Sequence, residues 1–426
     1  MKVNVFWFRR DLRINDNTGL NIALASKNPL IGIFIFDHKI TLKLPSNDAR
    51  ISFIYKHLNK INNSLKKVNS SLLILKGTPI EVFLDLIKNY EIDKVYSNID
   101  YEPYGIDRDA KITSLLELNQ IKHFQYKDHV VFSPNEVLKD NGEPYTVYTP
   151  YKNKWLLKFK QNSISSTEFI GISNFHNINF QFPTIDELGF EKSKIDVVDF
   201  NNKSIKDYAK NRDFPFLNSG SFLGAHLRFG TISLRDILSL LGENDSVFLS
   251  ELIWREFFMM ITYHYPFVKD SNFKRKYDNV IWRNDQTEFQ NWCDGKTGYP
   301  IVDAGMRELN QTGYMHNRVR MIVAGFLCKH LLIDWKWGEK YFSEKLLDYE
   351  LSSNNGNWQW AAGTGCDSAP YFRIFNPFTQ QKKFDKDLLY VKKWIPNYDP
   401  DTYIDYIVDH KFARKRALDV YKLGLS

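Results

Sequence analysis

Short apolar runs alternate with amphipathic stretches along the first part of the chain. Runs typical of buried parallel strands lie at residues 3–8, 31–36, 71–77 and 93–98. Between them, residues 48–68 carry apolar positions at helical spacing, and Thr78, Pro79 and Glu81 form the pattern of a capping box at a helix start. This alternation predicts an α/β domain with a doubly wound parallel sheet.

From residue 205 onward the apolar spacing is mostly helical. Helices are predicted at residues 232–241, 249–264, 301–312 and 315–334. The stretch from about 155 to 205 is rich in Ser, Asn, Ile and Phe without a steady period, so we expect a long surface connector. The predicted division is an α/β domain at 1–130, an interdomain connector at 131–204 and an all-helical domain at 205–426.

The composition of the 426-residue chain is that of a soluble globular protein, with 43% apolar and 25% charged residues. No apolar run reaches the roughly 20 residues of a membrane span. Cys293, Cys328 and Cys366 lack metal-ligand spacing, so we expect reduced cysteines, no metal site and, with no signal-peptide layout at the N-terminus, a cytoplasmic protein. A net charge of +7 suits a polyanionic partner without proving one.

Two tryptophans stand out in the segment at residues 354–377. Trp358 and Trp360 lie among Asn and Gly residues, before Arg373 and Pro377. Large rigid indoles in such a setting favour an aromatic ligand or an exposed base. The alternative is a buried aromatic cluster, which is the usual place of tryptophan.

A second candidate site lies on the predicted helix ELIWREFF. Glu251, Trp254, Arg255 and Phe258 share one face of it because they are spaced at i, i+3, i+4 and i+7. A carboxylate, an indole and a guanidinium make a poor core but suit a cavity that stacks a base and hydrogen-bonds its edge. The alternative is a structural Glu–Arg pair beside a core tryptophan.

Five segments together resemble the DNA photolyase and cryptochrome family, most closely the class I photolyases for cyclobutane pyrimidine dimers. The segments are VFWFRRDLRINDN (5–17), ELIWREFF (251–258), TGYPIVDAGMREL (297–309), NRVRMIVAGFLCKHLLIDW (317–335) and NNGNWQWAAGTGCDSAPYFRIFNP (354–377). The resemblance implies an α/β N-terminal domain followed by an all-helical FAD-binding domain. It also implies a deoxyribodipyrimidine photo-lyase that repairs dimers by light-driven electron transfer from reduced, anionic FAD.

The resemblance also implies roles for particular residues. Glu251, Trp254 and Trp360 match the positions that hold the dimer, and Asn317 and Asn354 match catalytic positions at the flavin. An electron-transfer chain would comprise Trp358, Trp335 and Trp282. Asn354 matches the position opposite flavin N5, where photolyases usually keep Asn, plant cryptochromes carry Asp and animal ones carry Cys.

Implied FAD contacts extend over much of the helical part. They are Tyr208, Ser221, Leu223, Phe248, Arg255, Asn317, Arg320, Asp348, Glu350 and Asn354. The phosphate-binding run departs from the family pattern, because Thr-Ser-Arg-Leu-Ser-Pro is replaced by GSFLGA at residues 220–225. Backbone N–H groups can still cradle phosphate there.

DNA containing pyrimidine dimers is the implied partner of what we expect to be a monomer. Positions that match DNA contacts are Arg212, Trp254, Arg318, Arg373 and Gln380. YEPYGIDRD at 101–109 resembles the antenna region of deazaflavin-type rather than folate-type photolyases. Arg50 and Asp100 are the candidate antenna contacts, with surface ion pairs as the alternative.

Three other functions stay open at this stage. A cryptochrome-type blue-light photoreceptor would keep the flavin and the tryptophan chain without repair activity. A photolyase for six-four photoproducts needs two substrate-facing histidines; His316 fits one such region, but YMHNR matches the dimer-repair pattern better. An unrelated flavin oxidoreductase would need a nicotinamide site, and the G-x-G-x-x-G fingerprint does not follow the first predicted strand.

Overall fold

A computed structural model describes residues 1–162, 166, 170–217 and 219–426. The chain forms two compact units. The first comprises Met1–Val137, Trp155–Asp199 and Leu223–Leu241, and the second comprises Leu138–Lys154, Phe200–Phe222 and Gly242–Ser426. The segment expected to be a connector is thus divided between the two units, and its residues 163–165 and 167–169 lie outside the described residues.

Five parallel strands form the sheet of the first unit in the order β3-β2-β1-β4-β5. Their bounds are β1 Val3–Phe8, β2 Leu30–Asp37, β3 Leu73–Gly77, β4 Ile92–Asn98 and β5 Lys122–Tyr126. Because the strand order reverses between β1 and β4, the sheet is doubly wound, which confirms the predicted fold class.

Eighteen α-helices lie in the described part of the chain. Their bounds are α1 Thr18–Leu24, α2 His38–Thr41, α3 Ala49–Lys66, α4 Pro79–Asn89, α5 Pro103–Leu118, α6 Tyr148–Gln161, α7 Tyr208–Asn211, α8 Leu223–Phe229, α9 Leu234–Ser239, α10 Ser246–His264, α11 Gln286–Cys293, α12 Pro300–Thr312, α13 Asn317–Gly325, α14 Trp335–Lys345, α15 Leu351–Ala362, α16 Pro377–Phe384, α17 Leu389–Trp394 and α18 His410–Leu425. None of the helices in the described residues is long and apolar enough to cross a bilayer.

Alternation along β1 distributes its side chains between two cores. Val5 and Trp7 pack on the face covered by α4 and α5, whereas Phe6 and Phe8 pack on the face covered by α1 and α3. Successive side chains of a strand point to opposite faces, so a strand that is apolar throughout is buried on both sides. The pattern VNVFWF therefore specifies a central strand between two helical layers.

Local sequence patterns predicted some boundaries of helices and strands correctly and missed others. The capping box is confirmed, since Thr78 caps α4 and the Glu81 carboxylate accepts from the Thr78 backbone N–H at 3.1 Å. Strand β5 escaped prediction because its sequence, KHFQY, is too polar for the buried-strand pattern of the other four.

The helix predicted at 315–334 is wrong in its extent. The α-helix α13 ends at Gly325, a π-helical turn covers Phe326–His330, and Leu332 has a φ of 50°. Apolar residues fill this stretch on all sides, so their spacing alone gave no stop signal. A helix also occupies Tyr148–Gln161, where the sequence gave none.

Helices α10 and α15 of the second unit approach each other at a glycine. A Cβ built on Gly356 of α15 would overlap the ring of Phe258 of α10. A Cβ on Gly338 of α14 would likewise overlap the indole of Trp358. Backbone-to-ring contact at these two positions holds the three helices at distances that a larger residue would not allow.

We expect Gly356→Ala to destabilise the second unit by about 1–3 kcal/mol, because the added methyl group forces α10 and α15 apart. Gly325→Ala is the matched helical control. Its Cβ would meet only the Phe375 ring at 3.8 Å, so helix propensity should leave stability unchanged or raise it by up to about 1 kcal/mol. Urea unfolding of both variants tests the difference, and equal stabilities would contradict the packing argument.

Candidate functional site

A cleft with an empty volume of about 600 Å³ opens in the second unit. Its walls are α13, α15, the 346–350 segment and part of α14. The residues that line it are Asn317, Arg320, Met321, Ala324, Phe342, Leu346, Asp348, Tyr349, Glu350, Ser353, Asn354, Asn357, Trp358, Trp360 and Ala361. Six of the sequence-predicted flavin or substrate positions are therefore brought together on α13, the 346–350 segment and α15.

An ion pair forms one wall of this cleft. The Arg320 guanidinium donates to the Asp348 carboxylate at 2.9 Å and to the Met315 backbone carbonyl at 2.8 Å. The second carboxylate oxygen of Asp348, Oδ1, is buried and has no hydrogen-bond partner among the described residues. Since buried acceptors in folded proteins are nearly always paired, this oxygen fits a donor from a bound group.

Asn354 lines the same cleft from α15. Its amide nitrogen donates to the Glu339 backbone carbonyl at 3.1 Å and to the Glu339 carboxylate at 2.9 Å. Burial raises the pKa of Glu339, and the Asn354 hydrogen bond opposes that shift. Because the nitrogen is held by Glu339, the amide oxygen is the end of Asn354 left for the cleft.

Arg255 and Glu350 form a second ion pair, at 3.2 Å, with both side chains largely buried. Ser353 also donates to the Glu350 carboxylate, at 3.1 Å. Glu350 and Ser353 line the cleft, whereas Arg255 lies outside its lining. Arg255 is therefore linked to the cleft through Glu350.

The predicted face of α10 carries a charged pair. Glu251 accepts from Arg212 at 2.5 Å, with both side chains about 30% exposed. Burial raises the pKa of Glu251, and Arg212 opposes this rise through its charge and its hydrogen bond. Arg212, a predicted DNA contact, is therefore the partner of the predicted substrate carboxylate.

Trp254 lies beside this pair and is stacked on Tyr148. The two ring centroids are 3.5 Å apart with an interplanar angle of 7°. Phe258 approaches the same indole at 5.3 Å, tilted by 30°. One face of Trp254 is thus already covered by an aromatic ring that the sequence did not reveal.

Trp358 and Trp360 take different environments on α15. Trp358 is 2% exposed and packs edge-on against Phe342 at 5.0 Å and Trp292 at 6.2 Å. Trp360 is half-buried. Trp358 is thus a core indole and Trp360 a more accessible one, and their separate roles stay a prediction.

The other two tryptophans of the predicted chain pack in the same core cluster as Trp358. Trp335 is 1% exposed and donates from its indole nitrogen to Asn272 at 2.8 Å. Trp282 is half-buried and lies edge-on to Tyr421 at 5.8 Å. Trp358 and Trp335 are thus fully buried, whereas Trp282 is partly exposed.

Comparison with known proteins identifies the family. The model for the FAD binding domain of DNA photolyase matches residues 248–400, and the DNA photolyase model matches residues 4–168. A deoxyribodipyrimidine photo-lyase of Synechococcus is 36% identical over 423 residues, covering 92% of this chain and 87% of that protein. The chain belongs to the DNA photolyase family.

Solved structures of photolyases have the same fold. A bacterial class III photolyase from Agrobacterium tumefaciens has a TM-score of 0.89 at 32% identity, covering 100% of this chain and 98% of its own. An archaeal photolyase from Sulfolobus tokodaii, solved with two FAD molecules, has a TM-score of 0.87 at 34% identity, covering 99% of this chain and 100% of its own.

Five predicted FAD contacts of the photolyase pattern, Arg255 among them, lie outside the lining of the cleft. Tyr208 packs edge-on against Phe248 at 5.1 Å, and burial raises the pKa of Tyr208. Ser221 accepts at its backbone carbonyl from the Asn201 N–H at 2.9 Å, and Leu223 is buried at the start of α8. Phosphate contacts in this region stay a prediction.

The predicted DNA contacts divide into paired and exposed residues. Arg318 donates to Asp213 at 2.6 Å and lies over the Phe384 ring at 4.5 Å. Arg373 is exposed and Gln380 is half-buried. Basic side chains held by a single carboxylate remain able to exchange that partner for a phosphate.

The two candidate antenna contacts are both engaged within the first unit. Arg50 is buried and bonded to Asp48 at 2.6 Å. Asp100 pairs with Arg10 at 3.2 Å; although burial opposes the effect, Arg10 and Arg108 lower its pKa. Asp100 also lines a small, solvent-open pocket with an empty volume of about 190 Å³ at the carboxyl ends of β1 and β4, whereas Arg50 does not.

Two residues of the site were missed by sequence reasoning. Glu339 carries no local signal, because only the fold brings α14 against Asn354. Tyr148 has a weak one: Tyr148 and Tyr151 are three apart, and Pro150 suits the first turn of a helix. That pattern could have predicted a helix start with an aromatic face.

We expect Arg212→Gln to raise the pKa of Glu251 further, because the charge that favours the carboxylate is lost. At a given pH below neutrality, a larger fraction of Glu251 is then protonated. The folded protein also loses more stability when rising pH ionises this carboxyl group. The carboxylic C=O infrared band should persist to higher pH in Arg212→Gln. The band should vanish in the double variant Arg212→Gln/Glu251→Gln. A band with the same pH dependence in Arg212→Gln as in the wild type would contradict the pairing.

Proposed function

We propose that this protein is a deoxyribodipyrimidine photo-lyase that repairs cyclobutane pyrimidine dimers in DNA with light and reduced FAD. One observation carries the proposal. Helix α15, which contributes Asn354, Trp358 and Trp360 to the cleft, packs directly on α10, whose face bears Glu251 and Trp254. A ring site and a base-stacking surface are thereby joined through two rigid helices.

The chain's own residues fit a flavin. Reduced, anionic FAD would supply the electron that light transfers to the dimer. Arg320 places a cation in the cleft that stabilises negative charge on a ring, and Asp348 offers an unpaired acceptor to a ring N–H. Asn354 presents a neutral amide, which has no acidic proton to deliver to a reduced flavin. Asn317 lines the same wall.

The substrate would lie between Trp254 and Trp360, with Glu251 at its edge. Both indoles offer apolar area to a poorly stacked lesion, and extruding such a lesion costs less than extruding normal bases. Glu251 would hydrogen-bond the dimer where negative charge develops, which is electrostatic assistance. Its raised pKa makes the protonated, donating form easier to reach.

DNA would be held through its backbone by Arg212, Arg318, Arg373 and Gln380. Backbone contacts position the duplex without reading its sequence, so damage specificity has to come from the cavity. Binding should weaken as salt is added, by a power of the salt concentration set by the number of phosphates contacted.

Trp358, Trp335 and Trp282 would restore the reduced flavin. An electron would pass inward from Trp282 through Trp335 and Trp358, each indole being reduced again by its outer neighbour, and a reductant in solution would have to restore Trp282. The shared core cluster, and the greater exposure of Trp282 than of the other two indoles, support Trp282 as the outer member.

Finer assignments rest on the sequence pattern. We propose class I membership, although a class III structure is also similar, and a deazaflavin-type antenna at the Asp100 cavity. The S. tokodaii photolyase was solved with two FAD molecules, so a flavin is the competing antenna. We also propose a cytoplasmic monomer; the three free cysteines fit a reducing compartment.

The direct test is repair of a dimer-containing oligonucleotide by the reduced, illuminated protein. Thymine absorbance should recover with the wild-type protein and fall by about 10-fold or more in rate in Glu251→Ala and Trp254→Ala, because each removes a contact to the lesion. Glu243→Ala, an exposed carboxylate just before α10, is the control and should repair normally.

Two results would contradict the proposal in different ways. Full repair by Glu251→Ala and Trp254→Ala would remove the site assignment while leaving the activity. No recovery with the wild-type protein would favour the photoreceptor function instead.

A further inference from the structure

Tyr148 occupies the rear face of the proposed substrate tryptophan. Its ring lies parallel to the Trp254 indole, with centroids 3.5 Å apart and planes 7° from parallel. Because an indole has only two faces, this stack leaves at most one face of Trp254 for an incoming base. Tyr148 itself is buried, so it does not offer a competing surface to DNA.

Two anchors hold the tyrosine ring in this place. Its hydroxyl donates to the Ser250 backbone carbonyl at 2.8 Å and lies 2.9 Å from the Ser250 hydroxyl. Ser250 belongs to the same helix as Trp254, one turn earlier. The Tyr148 backbone N–H donates to Asp367 at 2.9 Å, in the segment after α15.

The surroundings of the ring favour a fixed, neutral tyrosine. Burial raises the pKa of Tyr148 to about 12, so the hydroxyl keeps its proton and its hydrogen bonds at neutral pH. Phe257 packs edge-on against Tyr148 at 5.8 Å and against Trp254 at 5.6 Å. The indole is therefore enclosed from behind by aromatic rings and cannot turn without displacing them.

We propose that Tyr148 is a positioning residue that holds the Trp254 indole in the orientation that receives the dimer. The inference rests on the proposed function. An indole already fixed loses little conformational entropy when a lesion stacks on it, whereas a mobile one has to be ordered at the expense of affinity. Tyr148 thus acts through Trp254 and contributes to discrimination between dimer and undamaged DNA.

The experiment is a double-mutant cycle on the holoprotein. For the wild type, Tyr148→Ala, Trp254→Ala and the double variant, the affinity ratio of dimer-containing to undamaged oligonucleotide is measured in the dark. Tyr148→Ala should lower this ratio about three- to tenfold, the effect of ordering one side chain on binding. In the Trp254→Ala background it should cause no further loss, because the residue it positions is gone.

Tyr148→Phe keeps the ring and loses only the hydroxyl anchor, so it covers the case in which Tyr148→Ala fails to fold. It should lower the ratio about twofold, with the FAD absorbance spectrum and the thermal midpoint close to those of the wild type. The effect should again vanish in the Trp254→Ala background. A purely structural role would lower the thermal midpoint or FAD content in both backgrounds.

Three outcomes would overturn the inference. Equal losses from the Tyr148 substitutions with and without Trp254 would show that Tyr148 acts by another route. Unchanged ratios in both Tyr148 variants would show that no positioning is needed. A wild-type protein with no preference for dimer DNA would overturn the proposed function itself, which the first two outcomes leave standing.

Discussion

The close approach of α10 and α15 at Gly356 is the constraint on which the site depends. Glycine lets the Phe258 ring lie directly against the α15 backbone, so the two helices hold their side chains at a fixed separation. Asn354, Trp358 and Trp360 then face the cleft from one helix while Glu251 and Trp254 project from the other. This fixed separation would also set the distance between the flavin cleft and the face of α10 that bears Trp254.

Ion pairs between arginines and carboxylates are the second feature of the site. Four arginines predicted to meet flavin or DNA, Arg212, Arg255, Arg318 and Arg320, each have a carboxylate partner. Removing a charge from water is costly unless it is paired, so these carboxylates keep the cations in place before any ligand arrives. The more exposed pairs can exchange partners, whereas the buried Arg255–Glu350 pair is suited to a permanent role.

Local pattern predicted the parts of the molecule that local energetics decide. Apolar runs gave four of five strands, the Thr78 box gave a helix start, and i, i+3, i+4 spacing placed Glu251 and Trp254 on one face. What escaped depends on contacts distant in sequence: the polar edge strand β5, the π-helical turn after Gly325, and the contacts of Tyr148 and Glu339. The pairing of β5 and the contacts of Tyr148 and Glu339 each depend on a partner 15 or more positions away, so neighbouring residues do not reveal them.

In the proposed function, the cleft and the face of α10 bring an electron donor next to the lesion. The fluorescence lifetime of the reduced flavin tests it most directly, with dimer-containing and undamaged oligonucleotides compared at saturation. We predict a clearly shorter lifetime with the dimer alone, because electron transfer to the lesion competes with emission. Equal lifetimes with both oligonucleotides would show that the excited flavin does not transfer an electron to the lesion. That result would contradict the proposed arrangement of the flavin and the dimer.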